Sequence, residues 1–286
     1  MKILIFGAYG LLGNYLSKHL IKKHKVIKVG RHSKAQVKLN QYNYKNILKK
    51  IKANKPDCII NLIAQTDVDK CEKYKNLCFK TNSEITKQIV KAINLYEYKK
   101  NIFFILLSSD QVYSGKGPHV EKKINPINNY AKSKILAEKY ASKINSCILR
   151  TNFLCKSKNK SKKSLNDWIY KNLKEGKKIN VFKNIFFSPL YVGTLSKYLE
   201  QIAVKKITGT YNIGSHSGIS KANMSFLFAK KLELNTNLLT SIDYKKKNLV
   251  AIRPKDMRLN LKKFEKKFKI NIHSTKSEIY KLCKDY

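Results

Sequence analysis

The chain opens on a short apolar run, Lys2-Ile3-Leu4-Ile5-Phe6, that passes directly into Gly7-Ala8-Tyr9-Gly10-Leu11-Leu12-Gly13. Consecutive apolar residues of this length suit a strand buried on both faces, as in a parallel sheet. Past the glycine turn, Leu11, Leu12, Tyr15, Leu16, His19 and Leu20 recur at helical spacing. Strand, glycine turn and helix in this order constrain the fold strongly. The glycines let backbone approach a pyrophosphate, and the helix N-terminus presents N–H groups that lack intrahelical partners. A glycine triplet also serves an ordinary tight turn, but its place directly after a buried strand favours a dinucleotide.

Further apolar runs at residues 25–29, 58–63, 102–107 and 147–149 read as strands, with helical patterns between them. One of those helices carries Ile85, Ile89, Val90 and Ile93 on one face, and the next carries Tyr130, Lys134, Ile135 and Tyr140. Alternation of this kind predicts an α/β fold, a Rossmann-like doubly wound parallel sheet. Regularity declines after Arg150, and residues 156–163 are Lys, Ser and Asn without an apolar residue, as expected of a loop. The expected division is an NAD(P)-binding domain over 1–150 and a smaller, interleaved substrate-binding region over 151–286. Part of 187–205 is expected to return to the first domain.

The second strand ends at Gly30 and leads into Arg31-His32-Ser33-Lys34. A site preferring NAD usually places an acid there for the ribose 2′-hydroxyl. With Arg31 in that position the expected cofactor is NADPH, with NADH as the alternative.

Tyr130-Ala131-Lys132-Ser133-Lys134 puts a phenol and an ammonium group four residues apart, on one helical face. A phenol with a reference pKa of roughly 10 is a poor acid at neutral pH, and a neighbouring cation lowers that value. The pair therefore suits general-acid catalysis at a developing alkoxide. Ser109 stands where a buried strand leaves the sheet at its carboxyl end, the edge at which such sheets bind ligands. In a chain this rich in Tyr and Lys the pair alone means little. It gains meaning from its order after the glycine turn and the strand-end serine.

Composition bears on partners. Lys and Arg number 60 against 18 Asp and Glu, for a formal charge of +42. That excess raises nucleic acid or an anionic membrane as partners. Yet it is spread along the chain and carried by Lys, the Arg residues being Arg31, Arg150, Arg253 and Arg258 alone. Specific base and phosphate recognition leans on the bidentate Arg fork, so no specific nucleic-acid site is expected. The field would instead attract an anionic nucleotide-linked substrate. Six cysteines form no C-x-x-C pair and have no His cluster beside them, which predicts a reduced, cytoplasmic protein without a structural metal. The apolar start is too short for a membrane span.

Several phrases together resemble the extended short-chain dehydrogenase/reductases, and within them the dTDP-4-dehydrorhamnose reductase group. They are the glycine turn, Asn61-Leu62-Ile63-Ala64-Gln65-Thr66-Asp67-Val68-Asp69, Ser108-Ser109-Asp110-Gln111-Val112-Tyr113, the Tyr130 to Lys134 run and Arg253-Pro254. The resemblance implies reduction of a 4-keto nucleotide sugar in deoxysugar or surface polysaccharide biosynthesis. It implies that Ser109, Tyr130 and Lys134 are catalytic. It implies that Gly10, Leu11 and Leu12 contact the cofactor phosphates, within a cofactor-binding turn that includes Gly7 and Gly13, that Ala64, Gln65 and Thr66 line the cofactor cleft, and that Asn40 and Gln41 lie near the adenine. Asp110, Phe153 and Arg253 fall on the substrate side. Departures from the group are Ser109 in place of the usual Thr, Phe153 where a Trp is frequent, Asn40 in place of an Asp, and Met257 where a Ser is common. They leave the sugar open.

An epimerase or dehydratase would share the fold and the Tyr/Lys pair while recycling its cofactor. Gln111 after Asp110, where a dehydratase places Glu, argues against the latter. A non-catalytic regulatory protein of the same fold is the remaining alternative, and the intact Ser109, Tyr130 and Lys134 argue against it. The oligomeric state is open, a homodimer being one option.

Overall fold

The computed structural model describes residues 1–31, 35–96, 102–158, 163–244 and 249–286. In chain order the first elements are β1 (Lys2–Phe6), α1 (Leu11–Leu20), β2 (Lys25–Gly30), β3 (Val37–Lys38), α2 (Tyr44–Asn54) and β4 (Cys58–Asn61). There follow α3 (Val68–Lys73), α4 (Lys75–Phe79), a π-helical turn (Lys80–Glu84), α5 (Ile85–Asn94), β5 (Phe103–Leu107), a 3₁₀ turn (Asp110–Val112), α6 (Asn129–Ala141) and β6 (Ser146–Thr151). The next are β7 (Phe153–Leu154), α7 (Leu165–Lys174), β8 (Ile179–Phe182), β9 (Phe186–Phe187), β10 (Leu190–Tyr191) and α8 (Val192–Lys205). The chain closes with β11 (Gly209–Ile213), β12 (Ile219–Ser220), α9 (Lys221–Lys231), β13 (Leu239–Ile242), β14 (Asp256–Met257), α10 (Lys262–Phe268) and α11 (Thr275–Cys283).

Seven strands form the main sheet in the order β11-β6-β5-β4-β1-β2-β3. Each pairing among β1 to β6 is parallel. This is the Rossmann-like doubly wound arrangement, in which strand order reverses between β1 and β4. β1 and β4 are buried along nearly their whole length, which is why they read as unbroken apolar runs rather than alternating ones. In sheets of this kind ligands bind at the carboxyl ends of the two strands that flank the reversal.

The chain divides into two compact units. The first comprises Met1–Ser109, Asn128–Leu149 and Ser196–Thr210, and the second Asp110–Ile127, Arg150–Leu195 and Tyr211–Tyr286. A single boundary at 150 misses the excursion Asp110–Ile127, which leaves the first unit immediately after Ser109. Nothing in its composition announces the change, because the segment is short and lacks regular periodicity.

The core of the first unit joins Leu4, Phe6, Ile27, Ile59, Phe104 and Ile148 from the strands to Ile47, Ile51, Ile89 and Ala137 from the helices. The second unit has its own core, in which Ile169, Phe187, Met224, Phe228, Met257 and Ile279 meet. Among the described residues no helix is long and apolar enough to cross a membrane, and the six cysteines are buried free thiols.

Candidate active site

β1 delivers the chain to Gly7, whose φ of +79° is a left-handed conformation that side chains disfavour. A Cβ there would also stand 3.0 Å from the Leu62 carbonyl carbon, just past β4. Helix α1 begins at Leu11, so Leu11 to Gly13, read from sequence as part of a turn, already form its first turn. Gly13 is the tightest point. A Cβ on it would lie 2.3 Å from Gly7 O and 2.7 Å from Ala8 Cα, so the helix rests on the turn backbone. Gly10 caps α1 without any side-chain hydrogen bond, and no acid lies in the first turn. The open N–H groups and the positive end of the helix dipole are therefore directed at whatever occupies the turn, and an anion suits them. Leu12 is buried, so its contribution there is limited to backbone.

At the end of β2, Gly30 lies under the Tyr9 ring, where a Cβ would meet Cδ2 at 2.9 Å. The Tyr9 hydroxyl accepts the Gln36 N–H at 2.8 Å, tying the glycine turn to the segment after β2. Arg31 is exposed at the strand end, and its charge acts on the phenol of Tyr42, whose pKa is nonetheless raised by burial. Residues 32–34 lie outside the described residues. Asn40 and Gln41 are exposed in the loop before α2.

Past β4 the chain runs through Ala64 and Gln65, both half-buried, to the exposed Thr66. Gln65 is held from below. Its N–H donates to Asn82 Oδ1 at 2.7 Å, and its carbonyl accepts Asn82 Nδ2 at 3.2 Å. Asn82 belongs to the π-helical turn and also donates to Ser133 Oγ at 2.9 Å. Ser133 in turn donates to Tyr130 O at 2.7 Å. A chain of hydrogen bonds thus links the loop carrying Gln65 to the helix carrying Tyr130.

That helix, α6, begins at an Asn128 cap whose side chain accepts the Ala131 N–H. It is buried on several sides, with Tyr130, Ser133, Lys134, Ala137 and Glu138 all enclosed. Lys134 is 2 % exposed. Its ammonium donates to Leu107 O, the last residue of β5, at 2.6 Å. Burial lowers its pKa to about 8, and the Glu138 carboxylate opposes that shift. Glu138 also accepts a hydrogen bond from Ser108 Oγ. Ser109, buried beside Ser108, follows β5 directly. Strand end, serine, phenol and ammonium are therefore assembled within the first unit.

The sequence reading missed Asn82, Ser133, Ser108 and Glu138 as supporting residues. Glu138 was findable, lying four residues after Lys134 on the same helix. Asn82 was not, because a π-turn inside a helical pattern leaves no mark on hydrophobic periodicity.

Asp110, Phe153 and Arg253 belong to the second unit. Asp110 is 1 % exposed and accepts Asn152 Nδ2 at 2.9 Å. Lys221, at the start of α9, feels both the Asp110 carboxylate and the Arg253 guanidinium, and burial lowers its pKa. Phe153 is half-buried in β7, paired with Leu190 of β10. In the same unit, Arg150 donates to Tyr113 Oη at 2.8 Å and to Glu121 O at 2.6 Å, and Tyr113 donates to Asn212 Oδ1 at 2.6 Å. Met257, where the group commonly has a Ser, is a buried member of this unit's hydrophobic core.

Known proteins match the chain along its length. The chain is 27 % identical over 287 residues to dTDP-4-dehydrorhamnose reductase of Salmonella typhimurium, covering 94 % of this chain and 92 % of that protein. A structure described as a hypothetical dTDP-4-dehydrorhamnose reductase from Sulfolobus tokodaii is 32 % identical, covers 96 % of this chain and 97 % of its own, and superposes with a TM-score of 0.84. The dTDP-4-dehydrorhamnose reductase of Bacillus anthracis, solved in complex with NADP, shares the fold with a TM-score of 0.88 at 20 % identity, over 100 % of this chain and 99 % of that one. The model of the RmlD substrate binding domain family matches residues 1–286, and the chain belongs to that family.

Proposed function

We propose that this protein reduces the 4-keto group of a dTDP-linked deoxysugar, as an NADPH-dependent dTDP-4-dehydrorhamnose reductase acting in dTDP-rhamnose biosynthesis in the cytoplasm. The observation that carries the reading is the buried Lys134 ammonium, anchored on Leu107 O one helical turn from Tyr130 and two residues before Ser109. The names of the relatives from Salmonella typhimurium and Sulfolobus tokodaii support the substrate, and the NADP complex from Bacillus anthracis supports the cofactor.

Reduced nicotinamide, when bound, supplies hydride to the carbonyl carbon. The chain's own residues do the rest. Gly7, Gly10, Leu11, Leu12 and Gly13 hold the diphosphate through backbone N–H groups and the dipole of α1. Arg31 meets the 2′-phosphate, Asn40 and Gln41 flank the adenine, and Ala64, Gln65 and Thr66 line the cofactor cleft. Tyr130 gives its proton to the substrate oxygen. Lys134 stabilises the phenolate that remains, and Ser109 donates a hydrogen bond to the same oxygen. Asp110, Phe153 and Arg253 recognise the sugar nucleotide.

The test is stoichiometric. Purified protein incubated with dTDP-4-dehydrorhamnose should oxidise one NADPH for each dTDP-rhamnose formed. Turnover of the sugar without loss of reduced nicotinamide would indicate an epimerase or dehydratase, and no turnover of any 4-keto nucleotide sugar would indicate a regulatory protein.

A further inference from the structure

The end of α9 and one side of α11 border a groove of about 700 Å³ within the second unit. That volume suits a small ligand. Lys231, Lys276, Lys281 and Lys284 line the groove, and no acidic residue does. None of its residues is among those assigned to the cofactor or the sugar nucleotide. Lys276, Tyr280 and Lys284 recur every four residues along α11 and its C-terminal cap, so they form a row on one helical face. At the rise of an α-helix the row is about 12 Å long. Lys231, the last residue of α9, meets the same row: its ammonium lies 5.5 Å from the Tyr280 ring centroid, and that of Lys276 lies 5.7 Å from it.

Lys281 differs from the other three. Its ammonium donates to Glu278 Oε1 at 2.5 Å, and Glu278, fully buried, spends its other oxygen on the Tyr191 N–H. Among the described residues no carboxylate lies at ion-pair distance from Lys231, Lys276 or Lys284. We infer that this groove is an anion site for a chain of two or three phosphates, with Lys231, Lys276 and Lys284 as its cations and the Ser277 hydroxyl as a further donor.

The physical reason is uncompensated charge on a concave surface. A cleft lined by one sign of charge, with low-dielectric walls, focuses the field and concentrates a counter-ion of the other sign. Those walls are present: Leu232, the Tyr280 ring and the aliphatic stems of the lysines. Two ammonium groups at one exposed phenol repel each other, and a cation–π contact there offsets little of that cost. Lys binds phosphate as a point charge on a flexible stem, so the cations can follow a ligand of variable length. A single phosphate meets one end of the row. A di- or triphosphate spans more of it and draws cations from both helices. α10 provides the contrast within the same unit, because Lys266 and Lys267 are adjacent and exposed on it but do not line the groove.

The experiment follows acetylation of every lysine in the whole protein by peptide mass spectrometry, with and without inorganic triphosphate. Salt is held at about 0.15 M, which screens the general field of the chain beyond roughly 8 Å. Lys231, Lys276 and Lys284 should be acetylated about fivefold more slowly with saturating triphosphate, and Lys266 and Lys267 should change by about twofold or less. In the double variant Lys276→Gln, Lys284→Gln, protection of Lys231 should be lost. Equal protection of the α10 lysines, no protection in the groove, or undiminished protection of Lys231 in the double variant would each overturn the inference. Should that variant fail to fold, the comparison between the groove and α10 in the native chain decides it. A parallel arm with thymidine triphosphate identifies the source of the phosphates. Tighter protection than by inorganic triphosphate assigns the groove to a nucleotide, equal protection assigns it to an inorganic chain, and either upholds the site. Protection by the nucleotide alone would overturn it. The readout does not involve reductase activity, so the site and the proposed function stand or fall separately.

Discussion

Lys134 Nζ donates to Leu107 O at 2.6 Å, so the ammonium of α6 is fixed against the carboxyl end of β5. The helix that carries Tyr130 and the strand that leads to Ser109 are thereby joined through one buried cation. Burial brings that cation's pKa down to about 8, against an ordinary value of 10.5. Activity that depends on the ammonium should therefore decline as pH rises through about 8. The consequence for stability has the opposite sense. Between about 8 and 10.5 the unfolded chain binds more protons at this position than the folded one, so this group makes folding stability rise with pH in that window and leaves it level below. Replacing Lys134 by Met should remove both effects and reduce kcat by roughly a hundredfold or more, the scale of general acid–base assistance. Paired pH profiles of rate and of urea unfolding check the two signs.

Glu138 tunes the same cation. Its carboxylate raises the pKa of Lys134 against the larger effect of burial. Glu138→Gln keeps the shape and an acceptor for Ser108 Oγ but removes the charge. The alkaline limb of the rate profile should then move toward lower pH, with the protein still folded. An unmoved limb would mean that Glu138 supports α6 without acting on Lys134.

Much of this arrangement was legible in the sequence because it follows from local rules. β1 and β4, buried on both faces, appear as apolar runs, and Gly7 and Gly13 mark a turn whose backbone contacts leave no room for a side chain. Tyr130 and Lys134 are one helical turn apart in any helix. What was not legible depends on long-range packing. Asn82 meets Gln65 and Ser133 across 17 and 51 residues of chain, and no spacing rule connects them. The passage of Asp110–Ile127 into the second unit was hidden for the same reason. The burial of Met257 was equally hidden. Its side chain is core because β14 pairs with β9 and lays Met257 beside Phe187.

The two inner glycines of the turn should respond differently to a methyl group. At Gly13 the added carbon would sit 2.3 Å from Gly7 O and 2.6 Å from the Ala8 carbonyl carbon, both backbone atoms that cannot move without opening the turn. At Gly10 the nearest atom is Gly7 O at 3.2 Å, and the backbone lies at φ −79°, which any residue adopts. Gly13→Ala should therefore cost about 1–3 kcal/mol of stability and most of the NADPH affinity, while Gly10→Ala folds with a small loss. Thermal unfolding and a nucleotide titration on the two variants distinguish them. Equal effects would mean that α1 does not rest on the turn.

On the proposed reading, Arg31 selects between the two cofactors. It is exposed where β2 ends, with no acid in residues 30–34 to receive a ribose 2′-hydroxyl. Arg31→Ala should raise the KM for NADPH by about tenfold, the value of a charge-assisted hydrogen bond, and leave that for NADH nearly unchanged. Parallel loss with both cofactors would assign Arg31 to the shared part of the dinucleotide.

The second unit holds a polar cluster centred on the Tyr113 phenol. Tyr113 Oη accepts from Arg150 and donates to Asn212 Oδ1, and its ring stacks on His119 at 4.9 Å between centroids. Tyr113 is fully buried, and burial raises the pKa of its phenol, so it remains neutral and keeps its proton for Asn212. Tyr113→Phe preserves the ring and removes one oxygen. Arg150 still reaches Glu121 O, and Asn212 Nδ2 still reaches His119 O, but Asn212 Oδ1 loses the Tyr113 proton within the interior. The expected cost is about 1–3 kcal/mol, the desolvation penalty of a stranded buried acceptor. Tyr113→Phe combined with Asn212→Leu should cost less than the sum of the two single variants, because the second change removes the group stranded by the first. Strictly additive losses in urea unfolding would mean that this hydrogen bond contributes nothing beyond the packing of its ring.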